Sequence, residues 1–459
     1  MLNNKTKITY PFLILFAAAF LAITFKGFTN QQTGDENTYY YMGKLITEGK
    51  VPYRDFFYAH PPLHIYLIAA IYKIFGFNIF VLKLIPLIST LISAFFIFKI
   101  AKGMFGEIEA VISCLLFLFS YSVMFNSVFS FGIEIASMFL VIGIYFLFIK
   151  KNYILSGTFF ALAGLTRLLA LIPIILIIAT FLLSSRRNFL KLSLAFFIIF
   201  LLCNMALILF FGNAYFNTVY KYHLLKSLGG RENFKEYIDV IKLNWILFSS
   251  ALLLIFAKPR KLSGIFAVVS IIYMIFLITL KKIFGFYFII IFPLLAIIGG
   301  YAIFYIFNKL TSKKLRHAVS VILLSIFFWN LPSDVVFLER YGFTGFSRRQ
   351  DLAGFISLNS NENTMLFGDN SVVPLLALST SKRIAFDFVD TNEQVFASGL
   401  ADLKNVLNNL KGKEILFLIR SNQGISSFKE VQSHLNKECD FLSQFHDEIE
   451  GNFLVYRCK

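Results

Sequence analysis

Residues 29 to 76 read TNQQTGDENTYYYMGKLITEGKVPYRDFFYAHPPLHIYLIAAIYKIFG. Asp35, Glu36, Arg54, Asp55, His60 and His64 gather there, between apolar stretches at 10–26 and 79–98. The placement of this polar stretch decides the fold, because the chain around it is too apolar for a water-soluble globule. Of 459 residues, 58% are hydrophobic and 18% aromatic against 15% charged. The mean hydropathy is +0.72, whereas soluble domains carry about a quarter charged residues. Apolar runs of about 17 to 25 residues recur from Tyr10 to about Asn330, each long enough at ~1.5 Å per residue to cross a hydrocarbon core of ~30 Å. The chain is therefore predicted to be a polytopic helical membrane protein. Its first run has no small-residue cleavage site and is followed by further spans, so it reads as a retained span rather than a removed signal peptide. The net charge of +17 lies mostly in short loops between spans. That is the positive-inside pattern, and it argues against nucleic acid as a partner.

The basic clusters Lys5/Lys7, Lys99/Lys102, Lys150/Lys151, Arg186/Arg187/Lys191, Lys258/Arg260/Lys261 and Lys309/Lys313/Lys314/Arg316 should all face the cytoplasm, so each interval holds an even number of crossings. Between Lys7 and Lys99 lie three apolar segments, 10–26, 61–75 and 79–98, of which two can cross. Segment 61–75 opens with Pro61-Pro62 and carries His64 and Lys73. As a helix it would reach only ~22 Å, so it is expected as an interfacial or re-entrant helix on the outer face. Residues 153 to 183 are likewise flanked by basic pairs. They are expected as two short spans meeting near Gly164 to Arg167, with the turn sunk below the outer surface and Arg167 in a recess. Further spans are expected at 79–98, 108–124, 131–149, 189–211, 243–257, 262–280, 283–304 and 317–331, eleven in all with 10–26 and the two short ones.

That count puts everything after Ser333 outside. The expected fold class is an all-α polytopic domain over 1–332 followed by a small extracytoplasmic α/β domain over 333–459. In the latter, Gly, Asn, Ser and Asp return, and the β-rich runs EILFLIR and NFLVYRC alternate with a helical LADLKNVLNNL. The expected location is the plasma membrane, multi-pass, with the N-terminus cytoplasmic. Cys114 and Cys203 lie inside spans and read as packing residues. Cys439 and Cys458 fall in the outer domain, where an oxidising compartment would allow them to pair; the sequence leaves this open.

Parity collects Asp35, Glu36, Arg54, Asp55, His60, His64, Glu134, Arg167, Lys281, Lys282 and the loop 213–242 on the outer side. Lys44, Glu48, Lys50 and most of KSLGGRENFKEY read as solvated loop charges. Glu134 in FSFGIEIASMFLV and Arg167 in ALAGLTRLLALIPI do not. A charge at such depth costs on the order of a few kcal/mol unless it is paired or wet, and it marks a functional group by default. Lys281 and Lys282 break the positive-inside pattern. Snorkelling explains them, and so does an anionic headgroup held with Arg167 through charge-assisted hydrogen bonds. GDE puts Asp35 at or near a helix N-terminus, where N-capping would account for one carboxylate but not for its neighbour Glu36. Asp35, Glu36, Asp55, His60 and His64 also offer ligands suited to Mg, Mn or Zn, in a spacing that matches no closed motif. Asp369, Asp387 and Asp390 in the outer domain read as turn residues.

Four elements, in this order, resemble the GT-C membrane glycosyltransferases that use polyprenyl-phosphate sugars, a family that includes protein O-mannosyltransferases and lipid A aminoarabinose transferases. They are GDENTYYYMGKLITEG, AHPPLHIYLIAAIYKIFG, FALAGLTRLLALIPI and KKIFGFYFIIIFPLLAIIGG. The first is similar to the family's acidic pair and juxtamembrane helix, and the second to its PPL segment running to FG. In the third, Arg167 stands in a lysine position. In the fourth, Tyr287 and Pro293 are kept, while Phe286 stands where a histidine is common, which removes a proton donor.

The resemblance implies attack by an acceptor hydroxyl or phosphate oxygen on the anomeric carbon of a polyprenyl-phosphate sugar, with the lipid phosphate leaving. By similarity Asp35 would be the catalytic carboxylate acting as general base, with Glu36 or Glu134 stabilising an oxocarbenium-like transition state. Arg167, Lys282 and Tyr287 would hold the donor phosphate, the Arg167 fork suiting that task. Arg54, Asp55 and His60 are candidates for the substrate rim. The implied partners are a polyprenyl-phosphate sugar donor, membrane lipid, and a glycan, lipid or protein acceptor. No cofactor is required by the resemblance, which leaves a divalent metal open. The competing reading is a transporter or flippase of glycolipid precursors, since buried charges also mark translocation paths. Against it, the sequence shows no inverted repeat, and its polar groups crowd onto one face.

Overall fold

The computed structural model describes residues 6–182, 185–226, 230–343, 350–421, 423–447 and 451–459, so Lys5 of the first basic cluster lies outside the described residues. The chain divides into two compact units. One takes residues up to Thr29, Lys83–Met205 and Gly229–Phe343; the other takes Asn30–Leu82, Ala206–Leu228 and Thr344–Lys459.

The first unit is helical. Among the described residues, six helices are long and apolar enough to cross a membrane: Pro11–Thr29, Ile79–Met104, Arg186–Phe211, Lys261–Thr279, Phe292–Lys309 and Lys313–Gly342. The pair Gly230–Leu243 and Trp245–Phe256, bent by 79°, would make a seventh. The count of eleven is therefore not confirmed. Three expected spans are interrupted. Segment 108–124 breaks into Glu107–Leu118 and Tyr121–Asn126. Segment 243–257 is the second arm of the bent pair. Segment 283–304 opens with a 3-10 turn, Gly285–Ile290, before the helix Phe292–Lys309 begins with Pro293 in its first turn.

The first two breaks are tied to each other by a buried amide. The Asn244 side chain accepts from the Ser122 amide at 2.9 Å and donates to the Ser122 hydroxyl at 2.7 Å and to the Val240 carbonyl at 2.8 Å. The apolar segment 153–182 does turn back on itself. It breaks at Arg167, which is extended (φ −148°, ψ 125°) between Tyr153–Thr166 and a short turn that leads into Leu171–Leu182. Its two ends meet, with the Tyr153 and Phe181 rings 6.0 Å apart. Small residues set the helix spacing in this unit. A Cβ on Gly300 of the helix Phe292–Lys309 would lie 2.2 Å from the Ser113 hydroxyl and 2.6 Å from the Glu109 carbonyl of the facing helix. Outward-facing apolar groups such as Leu209, Phe210 and Trp329 are more than 80% exposed, a surface that suits lipid and not water.

The second unit contains a five-stranded mixed sheet built from β1 (Met365–Gly368), β2 (Arg383–Ile384), β3 (Ile415–Arg420), β4 (Cys439–Asp447) and β5 (Gly451–Cys458). The order is β2-β1-β3-β5-β4, with β1 parallel to both β2 and β3, and β5 antiparallel to β3 and β4. Central β3, ILFLIR, is buried along nearly its whole length, as a near-continuous apolar run in a covered sheet requires. Gly368 closes β1 at φ 138°, where a Cβ would sit 1.7 Å from the Leu418 carbonyl oxygen of β3. Only glycine fits there.

Cys439 and Cys458, opposite each other on β4 and β5, form a disulfide, while Cys114 is buried and Cys203 exposed. The bridge spans 19 residues, and closing a loop of that size stabilises by about 3 kcal/mol in the chain-entropy account. Cys439→Ser with Cys458→Ser is therefore expected to lower the unfolding temperature of the sheet, and a reductant should do the same to wild type but not to the variant.

Candidate active site

In the second unit, residues 30–76 fold around one helix, Asp35–Thr47. Gly34 at φ 142° provides its N-cap without a side-chain bond, so Asp35 is the first helical residue and not the cap. Two carboxylates in the first turn meet the positive end of the helix dipole. The Asp35 carboxylate accepts from the Asn370 side chain at 3.1 Å. Thr38 donates to the Asn370 carbonyl at 3.0 Å, the Gly34 amide to the Ser371 carbonyl at 3.0 Å, and the Ile384 amide to the Tyr41 hydroxyl at 2.9 Å.

The turn that presents Asn370 is itself pinned by buried Asp369, which accepts from Arg420 at 3.0 Å and from the Ser371 hydroxyl at 2.5 Å. Glu36 is fully buried and accepts from the Tyr40 hydroxyl at 3.3 Å. His60 accepts from or donates to the Tyr39 hydroxyl at 3.2 Å, and its ring stacks on His223 at 5.6 Å. Tyr39 lies 5.1 Å from the His64 ring, and His223 is fixed through the Ala59 carbonyl at 2.9 Å. Helix Leu63–Phe75 follows, 13 residues long and below spanning length, in agreement with its expected non-crossing role.

Two members of the expected rim turn to each other instead. Arg54 donates twice to Asp55, at 2.9 and 3.0 Å, and Asp55 also accepts from the Val51 amide at 2.7 Å. The Arg54 hydrogen bonds hold the Asp55 carboxyl below the usual carboxylate range. Asp390, which the sequence offered only as a turn residue, belongs with Asp35. Burial, with the Asp35 charge adding to it, pushes its carboxyl up to about 7, while a bond from the Asn392 amide and the Lys226 charge oppose the rise. Lys226 is itself buried, its ammonium 5.0 Å from the Tyr222 ring. Asp387 pairs with Lys50 at 2.8 Å.

The first unit holds the remaining expected residues. Glu134 stands in the first turn of Ile133–Phe148 and is buried, as is Arg167. The turn Leu168–Ala170 packs against both that helix and the turn Gly285–Ile290, which carries Tyr287. The structure thus brings the elements bearing Glu134, Arg167 and Tyr287 together. Phe286 fills the position where a histidine is common by stacking on Phe131 at 4.8 Å and on Phe284 at 5.6 Å. Lys282 is taken up by Glu232 at 2.6 Å, a pair that sequence reading missed because its members lie 50 residues apart. A second missed cation, Lys83, is fully buried and donates to the Gly27 carbonyl at 2.8 Å. There it meets the negative end of the helix that closes at Thr29.

Among the described residues, the group of His, Cys, Asp or Glu side chains able to converge on a metal is His434, Cys439 and Cys458, and its cysteines are already joined. The acidic and imidazole groups of residues 35 to 64 do not form such a group among the described residues.

Residues 59–216 match the family described as dolichyl-phosphate-mannose-protein mannosyltransferase. No curated protein matches the chain in sequence. ArnT from Cupriavidus metallidurans, solved bound to undecaprenyl phosphate, superposes with a TM-score of 0.68 at 15% identity over 96% of this chain and 97% of its own. The oligosaccharyltransferase of Archaeoglobus fulgidus, in complex with Zn and sulfate, superposes with a TM-score of 0.59 at 12% identity over 97% of this chain and 72% of its own. The AglB form from the same organism, in complex with an inhibitory peptide and a dolichol-phosphate, gives 0.54 at 11% identity over 98% and 74%. The chain is a multi-pass membrane protein with the fold of the GT-C glycosyltransferase superfamily, and its segment 59–216 carries the mannosyltransferase family match.

Proposed function

We propose that this protein transfers a hexose or pentose from a polyprenyl-phosphate donor to an acceptor on the outer face of the membrane, with the C-terminal sheet domain on that side. The observation that carries the reading is Asp35, held by the Asn370 side chain at the start of its helix and within electrostatic reach of Asp390, whose carboxyl burial raises, in a chain of GT-C fold. Neighbours solved with undecaprenyl phosphate and with dolichol-phosphate support a lipid-phosphate donor.

In this reading the acceptor oxygen forms a bond to the anomeric carbon while the bond from that carbon to the phosphate oxygen breaks and its electrons leave with the lipid phosphate. Asp35 takes the acceptor proton. Burial, and then the Asp35 charge, raise the Asp390 carboxyl, so Asp390 is assigned to keep its proton longer and Asp35 to act as the ionised base, since like charges that feel each other resist double ionisation. Glu36 and Glu134 are assigned to stabilising positive charge on the sugar ring. Arg167, Lys282 and Tyr287 are assigned to the leaving phosphate. Lys282 would have to exchange its partner Glu232 for that phosphate, and the exposure of Glu232, 78% of its side chain, makes the exchange cheap. His60, with Tyr39 and His223 around it, is assigned to the sugar, and Arg54 and Asp55 to the outer rim. The chemistry needs no metal, and a divalent ion is compatible with it.

The test is a reconstituted system in which purified protein in liposomes receives a polyprenyl-phosphate sugar labelled in the sugar, with a membrane extract as acceptor source. Transfer predicts label in a new product and free polyprenyl phosphate in equal amounts. Intact labelled donor appearing in the opposite leaflet, with no polyprenyl phosphate released, would establish the flippase reading instead.

A further inference from the structure

The helical unit holds a cavity that the proposed transfer does not use. A cavity of about 200 Å³ opens where five helix ends converge: the last turns of Ile79–Met104, Ile133–Phe148 and Leu171–Leu182, and the first turns of Tyr153–Thr166 and Lys261–Thr279. These are the ends that carry the basic loops of the positive-inside pattern. Lys151, Lys261, Tyr153 and Thr180 line the cavity with the rings of Phe148 and Phe181.

The basic residues around it divide into two groups. Arg260 is committed, donating to the Met104 carbonyl at 2.9 Å and lying over the Phe105 and Tyr301 rings. Lys102 pairs with Glu107, and Lys150 lies over Tyr145 at 5.9 Å. The exposed side chains of Lys151 and Lys261, by contrast, have neither ion pair nor hydrogen bond among the described residues, and both residues line the cavity. Lys151, at φ 53°, is the left-handed residue that ends the helix Ile133–Phe148, with the Asn152 amide bonded back to the Phe146 carbonyl at 2.9 Å.

We infer that this cavity binds the phosphate headgroup of an anionic phospholipid, with the two lysine ammoniums and the Tyr153 hydroxyl as donors. Two cations without an anionic partner favour a headgroup of net negative charge over a zwitterionic one, whose phosphate arrives with its own ammonium. The same helices expose Ile154, Leu155, Leu182 and Val268, which gives acyl chains an apolar surface and favours a lipid over a free phosphate. The position, between helix ends on the side where basic loops collect, is where anionic headgroups lodge in membrane proteins.

The test uses the full chain purified in a mild non-ionic detergent. Thermal unfolding is followed as phosphatidylglycerol, phosphatidylcholine or sn-glycerol 1-phosphate is added, and bound lipid is counted by native mass spectrometry. Wild type should retain one phosphatidylglycerol per chain and gain several degrees from that lipid, but nothing from the other two additives. Lys151→Gln with Lys261→Gln should weaken retention at least tenfold, whereas Lys151→Arg with Lys261→Arg should keep it. Lys191→Gln with Lys309→Gln, a pair outside the lining, controls for net charge and should behave as wild type. Equal retention by the Gln pair, or equal stabilisation by glycerol phosphate, would overturn the lipid site.

Discussion

Asp35→Asn is expected to lower sugar transfer by about 10²–10⁴-fold, the range over which a positioned general base acts, with little change in donor affinity. The substitution keeps the size of the side chain and an oxygen to accept from Asn370, 3.1 Å away, so the helix Asp35–Thr47 keeps its docking through Thr38, Gly34 and Tyr41. What is lost is the ability to take a proton. The loss should therefore fall on kcat and not on KM for the donor, and thermal unfolding should move by no more than a degree or two. Asn370→Ala provides the complementary case: Asp35 stays ionisable but loses the group that orients it, and transfer should fall by about tenfold, as expected when a reacting group is misplaced and not removed. Turnover of Asp35→Asn within threefold of wild type, at equal expression, would remove Asp35 from the mechanism and leave the flippase reading standing.

Much of this architecture was open to sequence reasoning because its causes are local. Pro61-Pro62 and the short apolar run after them mark a helix too short to cross, and Leu63–Phe75 is that helix. The basic pairs flanking 153–182 require a return, and the chain breaks at Arg167 with its ends in contact. The interruptions of the expected spans were not legible, because their cause is distant. No hydropathy pattern in 108–124 announces the break at Ser120; it belongs to a polar bond between Ser122 and Asn244 on another helix.

The site shows the same division. Asp35 and Glu36 stand out beside an apolar span, but Asp390 acquires its meaning only when the chain folds 355 positions onto itself and sets it against Asp35 and Lys226. In sequence, VDTN looks like any turn. Lys282 read as a snorkelling or headgroup-binding cation because its partner Glu232 sits in a loop that looked merely solvated. The Phe286 departure likewise has a structural cause that its own segment does not contain, the stack onto Phe131.

Asp390→Asn is expected to flatten the pH dependence of stability and to raise the unfolding temperature at pH 8. In the folded protein burial, and then the Asp35 charge, raise the Asp390 carboxyl from 3.8 to about 7, while in the unfolded chain it ionises near its ordinary value. Below about pH 4 both states hold the proton and the residue costs nothing. Between about 4 and 7 the unfolded chain binds fewer protons than the folded one, so stability falls as pH rises. Above about 7 both are ionised and the whole penalty remains. The interval from 3.8 to about 7 corresponds to at most about 4 kcal/mol, to be discounted because Asp390 as a residue is only partly buried.

Asn removes the penalty and retains an oxygen for the Asn392 amide, bonded at 3.1 Å in wild type. The two proteins should unfold at similar temperatures at pH 4.5, with the variant several degrees higher at pH 8. Parallel curves for wild type and variant across that range would separate Asp390 from Asp35. The double variant Asp35→Asn with Asp390→Asn measures their coupling directly: if the like charges meet, the two stability gains at pH 8 sum to more than the double variant delivers, since removing either charge already relieves the other. A stabilised but slow Asp390→Asn protein would then show that the chain tolerates this charge for catalysis, at a cost to folding that the Asn392 amide and the Lys226 charge offset only in part.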